Sequence, residues 1–333
     1  MKFKKITISV LGFLFLTLFS ISEQNVASEN NPVYTSIFWD SDSSGIILMS
    51  QNSIEKIEKV NGEAVTKSFN SEPENSIEDY CPAEGYVLLT NASKQAAFYS
   101  FDSGKVEKSY SIGNNLLGLR CSPSQKQFLA MGSDEISASV MNIDDGKEIK
   151  IIKGFTTAAP IYDAEFSPDG KNIIWHARNE FQLQNIETQV LMPKIELWDF
   201  VDVYALSSDS SILATAIPSE DYSKNLIIFY NTTTGSEIQR IELGDQRINS
   251  ISFSSDSKNV VITDSNQNYV YNTSDFQKLN IKSDSIKIAK SADSVTSSST
   301  ETIQGSSINA NGDMIAVLKS NGEVDFVSIE AGK

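Results

Sequence analysis

The sequence predicts an all-β chain folded as a single seven-bladed β-propeller of four-stranded antiparallel blades. Three observations predict it. A turn unit, clearest as Phe166-Ser167-Pro168-Asp169-Gly170-Lys171 ahead of the apolar run Ile173-Ile174-Trp175, recurs in degraded form along the chain. The copies lie about 40 to 50 residues apart, the spacing of propeller blades. A second turn, with Asp, Asn or Gly at its tip, follows most copies by about 15 residues, as a hairpin inside each blade requires.

Blade 4 shows the unit best. Ile161–Phe166 reads as the innermost strand, Ser167–Gly170 as the turn, Asn172–His176 as the second strand, Phe181–Ile186 as the third and Val190–Ile195 as a weak fourth. Pro168 presets its own φ, and Gly170 tolerates a positive one. The other copies align on that turn. Blade 1 has Ser36–Trp39 before Asp40–Gly45 and Ile46–Met49. Blade 2 has Tyr80–Gly85 before Tyr86–Leu89, and blade 3 has Cys121–Ser124 before Phe128–Ala130. Blade 5 has Leu206–Asp209 before Ile212–Ala214, and blade 6 has Phe253–Asp256 before Val260–Ile262. Blade 7 has Ile308–Gly312 before Met314–Leu318. Continuous apolar runs fit the buried central strands. The hairpin signal recurs as Phe101–Lys105, Ile143–Lys147 and Tyr230–Gly235.

The Phe-Ser-Pro-Asp-Gly-Lys turn and the later Asp-x-x-Gly-Lys hairpin resemble WD40-type repeats of bacterial proteins and the propeller of TolB-like proteins. The resemblance spans residues 33–333, is carried mainly by blade 4, and implies the fold without a particular partner. The single Trp198-Asp199 lies out of register with the repeats. With one histidine, the Asp-His-Ser/Thr-Trp network of eukaryotic WD40 blades cannot form.

Domain organisation follows. Met1–Lys5 is basic, Ile6–Ile21 is almost wholly apolar, and polar residues begin at Ser22. That is the layout of a secretory signal peptide, with cleavage expected after residue 22 (Ser20 at −3) or 28 (Val26 at −3). Residues 33–333 form the propeller. Residues 282–305, rich in Ser, Thr, Lys and Asp, read as a polar insert between blades 6 and 7. The chain also ends after only three expected strands of blade 7, so how that blade is completed stays open.

Composition narrows the function. The chain has 333 residues, 40% hydrophobic and 21% charged, with a net charge of −16. Such acidity opposes polyanion binding, which needs a basic face to displace counterions, and no nucleic-acid partner is expected. Beyond the leader no second long apolar segment exists, so no membrane span is expected in the mature chain.

No catalytic, cofactor-binding or metal-binding residue is assigned. There is no Gly-x-Ser-x-Gly elbow. The lone His176 excludes multi-histidine metal sites and reads as a packed strand histidine. Asp163, Glu165, Glu196, Asp199 and Asp202 could approach the axis or one face. Asp40–Gly45 is the nearest approach to a calcium loop, but it lacks the terminal bidentate Glu. Asn91, Asn231 and Asn272 begin glycosylation sequons. Cys81 and Cys121 end adjacent innermost strands. In an oxidising compartment they form either a disulfide between blades 2 and 3 or two buried thiols. The expected function is a non-enzymatic, secreted or periplasmic scaffold for a protein partner. The rival is a hydrolase or lyase with a metal-assisted carboxylate site in the axial pocket.

Overall fold

A computed structural model describes residues 34–40, 45–60, 63–72, 74–112, 116–132, 137–153, 161–201, 203–288 and 302–329. The expected signal peptide, the calcium-like turn at 41–44, Asp202 and residues 289–301 of the expected insert lie outside them. Among the described residues no helix occurs, and the strands form seven four-stranded antiparallel sheets. Six sheets are simple meanders running outward from the axis, and each expected turn that is described joins a first strand to a second.

The turns repeat one piece of chemistry. Ser167 Oγ donates to Asp169 Oδ1 (2.6 Å), which accepts the Lys171 N–H, while Ser167 Oγ accepts the Asn172 N–H. Ser207 with Asp209 and Ser254 with Asp256 do the same, at 2.6 and 2.7 Å. The turn therefore supplies its own backbone partners through short polar side chains. Its fourth residue sits at positive φ, taken by Gly170, Ser210, Ser257 and Gly312. Neighbouring turns also bond to one another: Ser208 Oγ donates to Ser254 O, and Ser255 Oγ donates to Ala310 O.

Seven hydrophobic clusters fill the seven seams between blades, one each. The blade 3–4 seam holds the buried Trp175, whose indole N–H donates to Gln184 Oε1 at 2.9 Å. Ring closure uses the same device. Tyr34, Ile37, Ile46 and Leu48 of blade 1 pack on Ala316, Leu318 and Val324 of blade 7, and Trp39 Nε1 donates to Ser307 O at 2.9 Å.

Blade 7 departs from expectation. Its outermost strand is Ile281–Ile288, which pairs antiparallel with Val324–Ile329 and precedes the innermost strand Ile303–Ile308 in the chain. The chain thus passes from the outer edge of blade 6 (Lys278–Leu279) straight to the outer edge of blade 7. Residues 281–288 are therefore sheet, and the expected insert at 282–305 is wrong at both ends. This strand is also the fourth of the blade. Replacing residues 281–288 with a Gly-Ser linker should lower stability by about 1–3 kcal/mol, because the ladder on residues 324–329 loses its partners. Urea denaturation checks this.

Blade 4 also differs at its edge. The fourth strand is only Ile195–Glu196, with an isolated bridge between Gln184 and Leu191. Pro193 interrupts the segment and has no N–H to give to a ladder. Among the described residues no helix is long and apolar enough to cross a membrane.

Candidate functional site

In a meander, alternate connections lie at opposite ends of the blade. The Ser-x-Asp turns therefore share one end of the disc. The second-to-third hairpins and the inter-blade connections share the other.

At that second end, over blades 4 and 5, four large aromatic side chains stand in solvent. Tyr162 lies on the connection entering blade 4, Trp198 and Phe200 on the connection from blade 4 to blade 5, and Tyr222 on the second-to-third hairpin of blade 5. Their exposures are 43%, 44%, 41% and 73%. Two of them are in ring contact, and a third is tied to the same connection. Tyr162 and Phe200 meet edge to face with centroids 5.8 Å apart, and Tyr222 Oη donates to Asp199 Oδ2 at 3.2 Å. The Arg240 guanidinium lies 5.1 Å from the centre of the Trp198 ring. Arg178, exposed, sits in the blade 4 hairpin whose backbone binds this connection through Leu197 N and Val201 N.

Tyr222 occupies an uncommon place. Ser219, Asp221 and Ser223 rebuild the Ser-x-Asp turn: Ser219 Oγ donates to Asp221 Oδ1 (2.7 Å) and accepts the Lys224 N–H (3.1 Å). Tyr222 takes the left-handed position, with φ 56°. Left-handed geometry disfavours a bulky L-residue by about 1 kcal/mol or more. Phe276 has a similar φ, but its ring packs on Phe229 at 4.7 Å. Tyr222 has no such packing to hold it there.

Beneath this face lies His176, 7% exposed and stacked on Phe181 at 4.5 Å with an interplanar angle of 5°. Tyr204, Tyr162 and Phe200 surround it, with centroids 5.1, 6.2 and 6.3 Å away. Burial lowers its pKa to about 4, against a lesser opposing effect of a hydrogen bond to the Arg178 backbone. His176 is a packed strand histidine, as the sequence suggests, and neutral at pH 7.

Two of the sequence-flagged carboxylates reach the axis. Asp163 and Glu165 lie on the innermost strand of blade 4, and Arg120 of blade 3 donates from Nη2 to Asp163 Oδ2 at 2.8 Å, with both partners buried. Asp79 of blade 2 accepts the backbone N–H groups of Tyr80 and Cys121 at 2.8 and 2.9 Å. Arg120, inside the innermost strand Leu116–Cys121, and Asp79 are the axial residues that sequence reasoning misses. Burial raises the pKa of Asp163, which the Arg120 charge opposes. Burial, then the Asp163 charge, push Glu165 up to about 8.

Folded Glu165 thus holds a proton that the unfolded chain releases near pH 4.5. Its contribution makes stability fall as pH rises from about 5 to 8. Glu165→Gln should therefore lose less stability than the wild type between pH 6 and 9, checked by urea midpoints at both values. The axis opens beside Tyr204 into a cavity of about 280 Å³ between blades 1, 5, 6 and 7, whose lining mixes apolar residues such as Ile37, Phe38 and Ile251 with Asn249, Ser250 and Ser306. Among the described residues no three carboxylate, histidine or cysteine side chains gather as a metal cage.

The other flagged residues lie apart. Glu196 is on the blade 4 edge, ion-paired with Lys194. Asp199 belongs to the aromatic face. Asp40 is buried, pairs with Lys56 at 2.6 Å and accepts the Tyr80 hydroxyl at 3.1 Å. The sequon asparagines each cap a hairpin turn: Asn91, Asn231 and Asn272 accept the N–H groups of Ser93, Thr233 and Ser274. Cys81 and Cys121 are joined across the blade 2–3 seam, with Cα atoms 5.1 Å apart.

No protein-family model matches the chain, and no curated protein matches it. Its likeness to known proteins is of fold. A solved structure described as "Crystal Structure of Mitotic Checkpoint Complex" superposes with a TM-score of 0.64 at 11% identity, over 99% of this chain and 100% of that one. The chain thus has the seven-bladed architecture of WD40-type propellers, a fold-level resemblance.

Proposed function

We propose that this chain is a non-enzymatic, extracytoplasmic scaffold that docks a protein partner on the aromatic end of blades 4 and 5. The observation that carries the reading is the gathering of Tyr162, Trp198, Phe200 and Tyr222 on that one face, with Tyr222 held exposed at a left-handed position. Scattered exposed apolar residues are ordinary, but large aromatic ones gathered at one end of the disc suit an interaction surface. Tyrosine, tryptophan and arginine dominate binding hot spots. Two of the chain's four arginines, Arg178 and Arg240, stand at this patch. The neighbouring fold in a multi-protein complex is consistent with a disc used for assembly. The extracytoplasmic location rests on the leader-like Met1–Ser22 and on the paired cysteines. N-terminal sequencing of the mature protein should begin at residue 23 or 29.

Immobilised wild type and a Trp198→Ala/Tyr222→Gly variant, challenged with native envelope or medium, test the docking reading. A protein retained by the wild type and lost from the folded variant supports it. Equal retention by both contradicts it. The Tyr222→Gly change alone should raise stability by up to about 1 kcal/mol, since glycine relieves the left-handed strain. Thermal unfolding reads that separately from binding.

A further inference from the structure

One atom of the aromatic face is left unsatisfied. His176 Nε2 is buried and has no hydrogen-bond partner. The Arg178 backbone favours a proton on the imidazole, and since Nε2 is the nitrogen without a partner, we assign that proton to the other nitrogen. Nε2 therefore presents a bare lone pair. Buried acceptors without partners are rare in native proteins and call for an explanation.

The surroundings say what would complete it. Phe181 lies flat against one face of the imidazole, and Tyr204 meets it edge-on. Tyr162 and Phe200, each more than two-fifths exposed, are its neighbours nearest solvent, with centroids 6.2 and 6.3 Å away. Asp163, directly opposite His176 in the strand register, is already paired with Arg120. An ammonium or carboxylate entering among these rings would be desolvated without a counter-ion. A neutral donor carried on a ring would not, and aromatic side chains with one polar handle suit such a pocket.

We propose that this face receives a tryptophan or tyrosine side chain of the partner protein, seated between Tyr162 and Phe200, with its N–H or O–H donated to His176 Nε2. The inference rests on the docking reading above and names what is docked. Tyr162 and Phe200 need only turn aside. Exposed rotamers do so in picoseconds to nanoseconds.

The chain's single histidine gives one set of imidazole signals, so ¹⁵N NMR reads this atom without ambiguity. The probes are indole and 1-methylindole, which differ in the donor. Indole should shift the Nε2 resonance saturably. 1-Methylindole should bind about 10-fold more weakly, the effect of one lost hydrogen bond to a buried group. His176→Phe, which keeps the stacking on Phe181, should bind both probes alike. Equal binding of the two probes to the wild type, or an Nε2 resonance unmoved by indole, would overturn the proposal. Indole failure combined with loss of partner retention in Trp198→Ala/Tyr222→Gly would overturn this inference alone and leave the docking face standing.

Discussion

Replacing Arg120 with leucine should lower the unfolding free energy by about 3–5 kcal/mol, the effect of stripping a buried carboxylate of its partner. Arg120 is the cation at the axis that meets Asp163, and Asp79 and Glu165 lie on the flanking innermost strands. The deficit should depend on pH. Burial already holds the Asp163 and Asp79 carboxyls above their ordinary values, Asp79 at about 6, and loss of the guanidinium raises both further. A folded-state pKa above the unfolded one makes stability fall as pH rises between the two values. The Arg120→Leu deficit should therefore be smaller at pH 5 than at pH 8. Adding Asp163→Leu should restore much of the loss, because an apolar pair can replace a buried ion pair nearly neutrally. An exposed pair such as Lys258–Asp256, at 3.0 Å, should contribute under about 1 kcal/mol. Urea denaturation of these variants at the two pH values checks the whole set. An Arg120→Leu loss no larger than that of the exposed pair would show that the axis is wet enough to solvate its charges.

Removing the disulfide should be the next largest effect. The bond joins residues separated by 40 positions and clamps the innermost strands of blades 2 and 3. Closing a loop of that length should stabilise the fold by roughly 3 to 4 kcal/mol, less any native-state strain. Cys81→Ser with Cys121→Ser should lose about that much, and dithiothreitol should mimic the change in the wild type only. Thiol titration of the unreduced, denatured protein should find none free. Two titratable thiols per chain would remove both the stabilisation and one support for an oxidising compartment.

The repeat was legible because its turn chemistry is local. A Ser, an Asp two residues on and a residue tolerant of positive φ satisfy one another wherever they occur, so Ser167, Ser207 and Ser254 could be aligned without knowing the seams. Blade 7 was less legible for a topological reason. Ile281 and Ile286-Lys287-Ile288 carry the alternation of a half-buried outer strand, yet they precede the innermost strand of their own blade. A reading that expects inner-to-outer order assigns such residues to a loop. At the axis, Asp163 and Glu165 were visible as candidates. Arg120 drew no notice because its partner lies on another blade, and sequence spacing does not report which side chains meet across a seam. In the sequence, Trp198-Asp199 is only a dipeptide out of register with the repeats. Its exposure, and the company of Tyr162 and Tyr222, exist only after three separate connections are brought to one end of the disc.

Hydrogen–deuterium exchange, with and without the protein that the wild type retains, tests the docking face most directly. Slowed exchange should be confined to residues 161–163, 176–181, 197–201 and 219–224, with the Ser-x-Asp turns at 167–171 and 207–211 on the opposite end unchanged. Protection centred on those turns, or spread evenly around the disc, would contradict it.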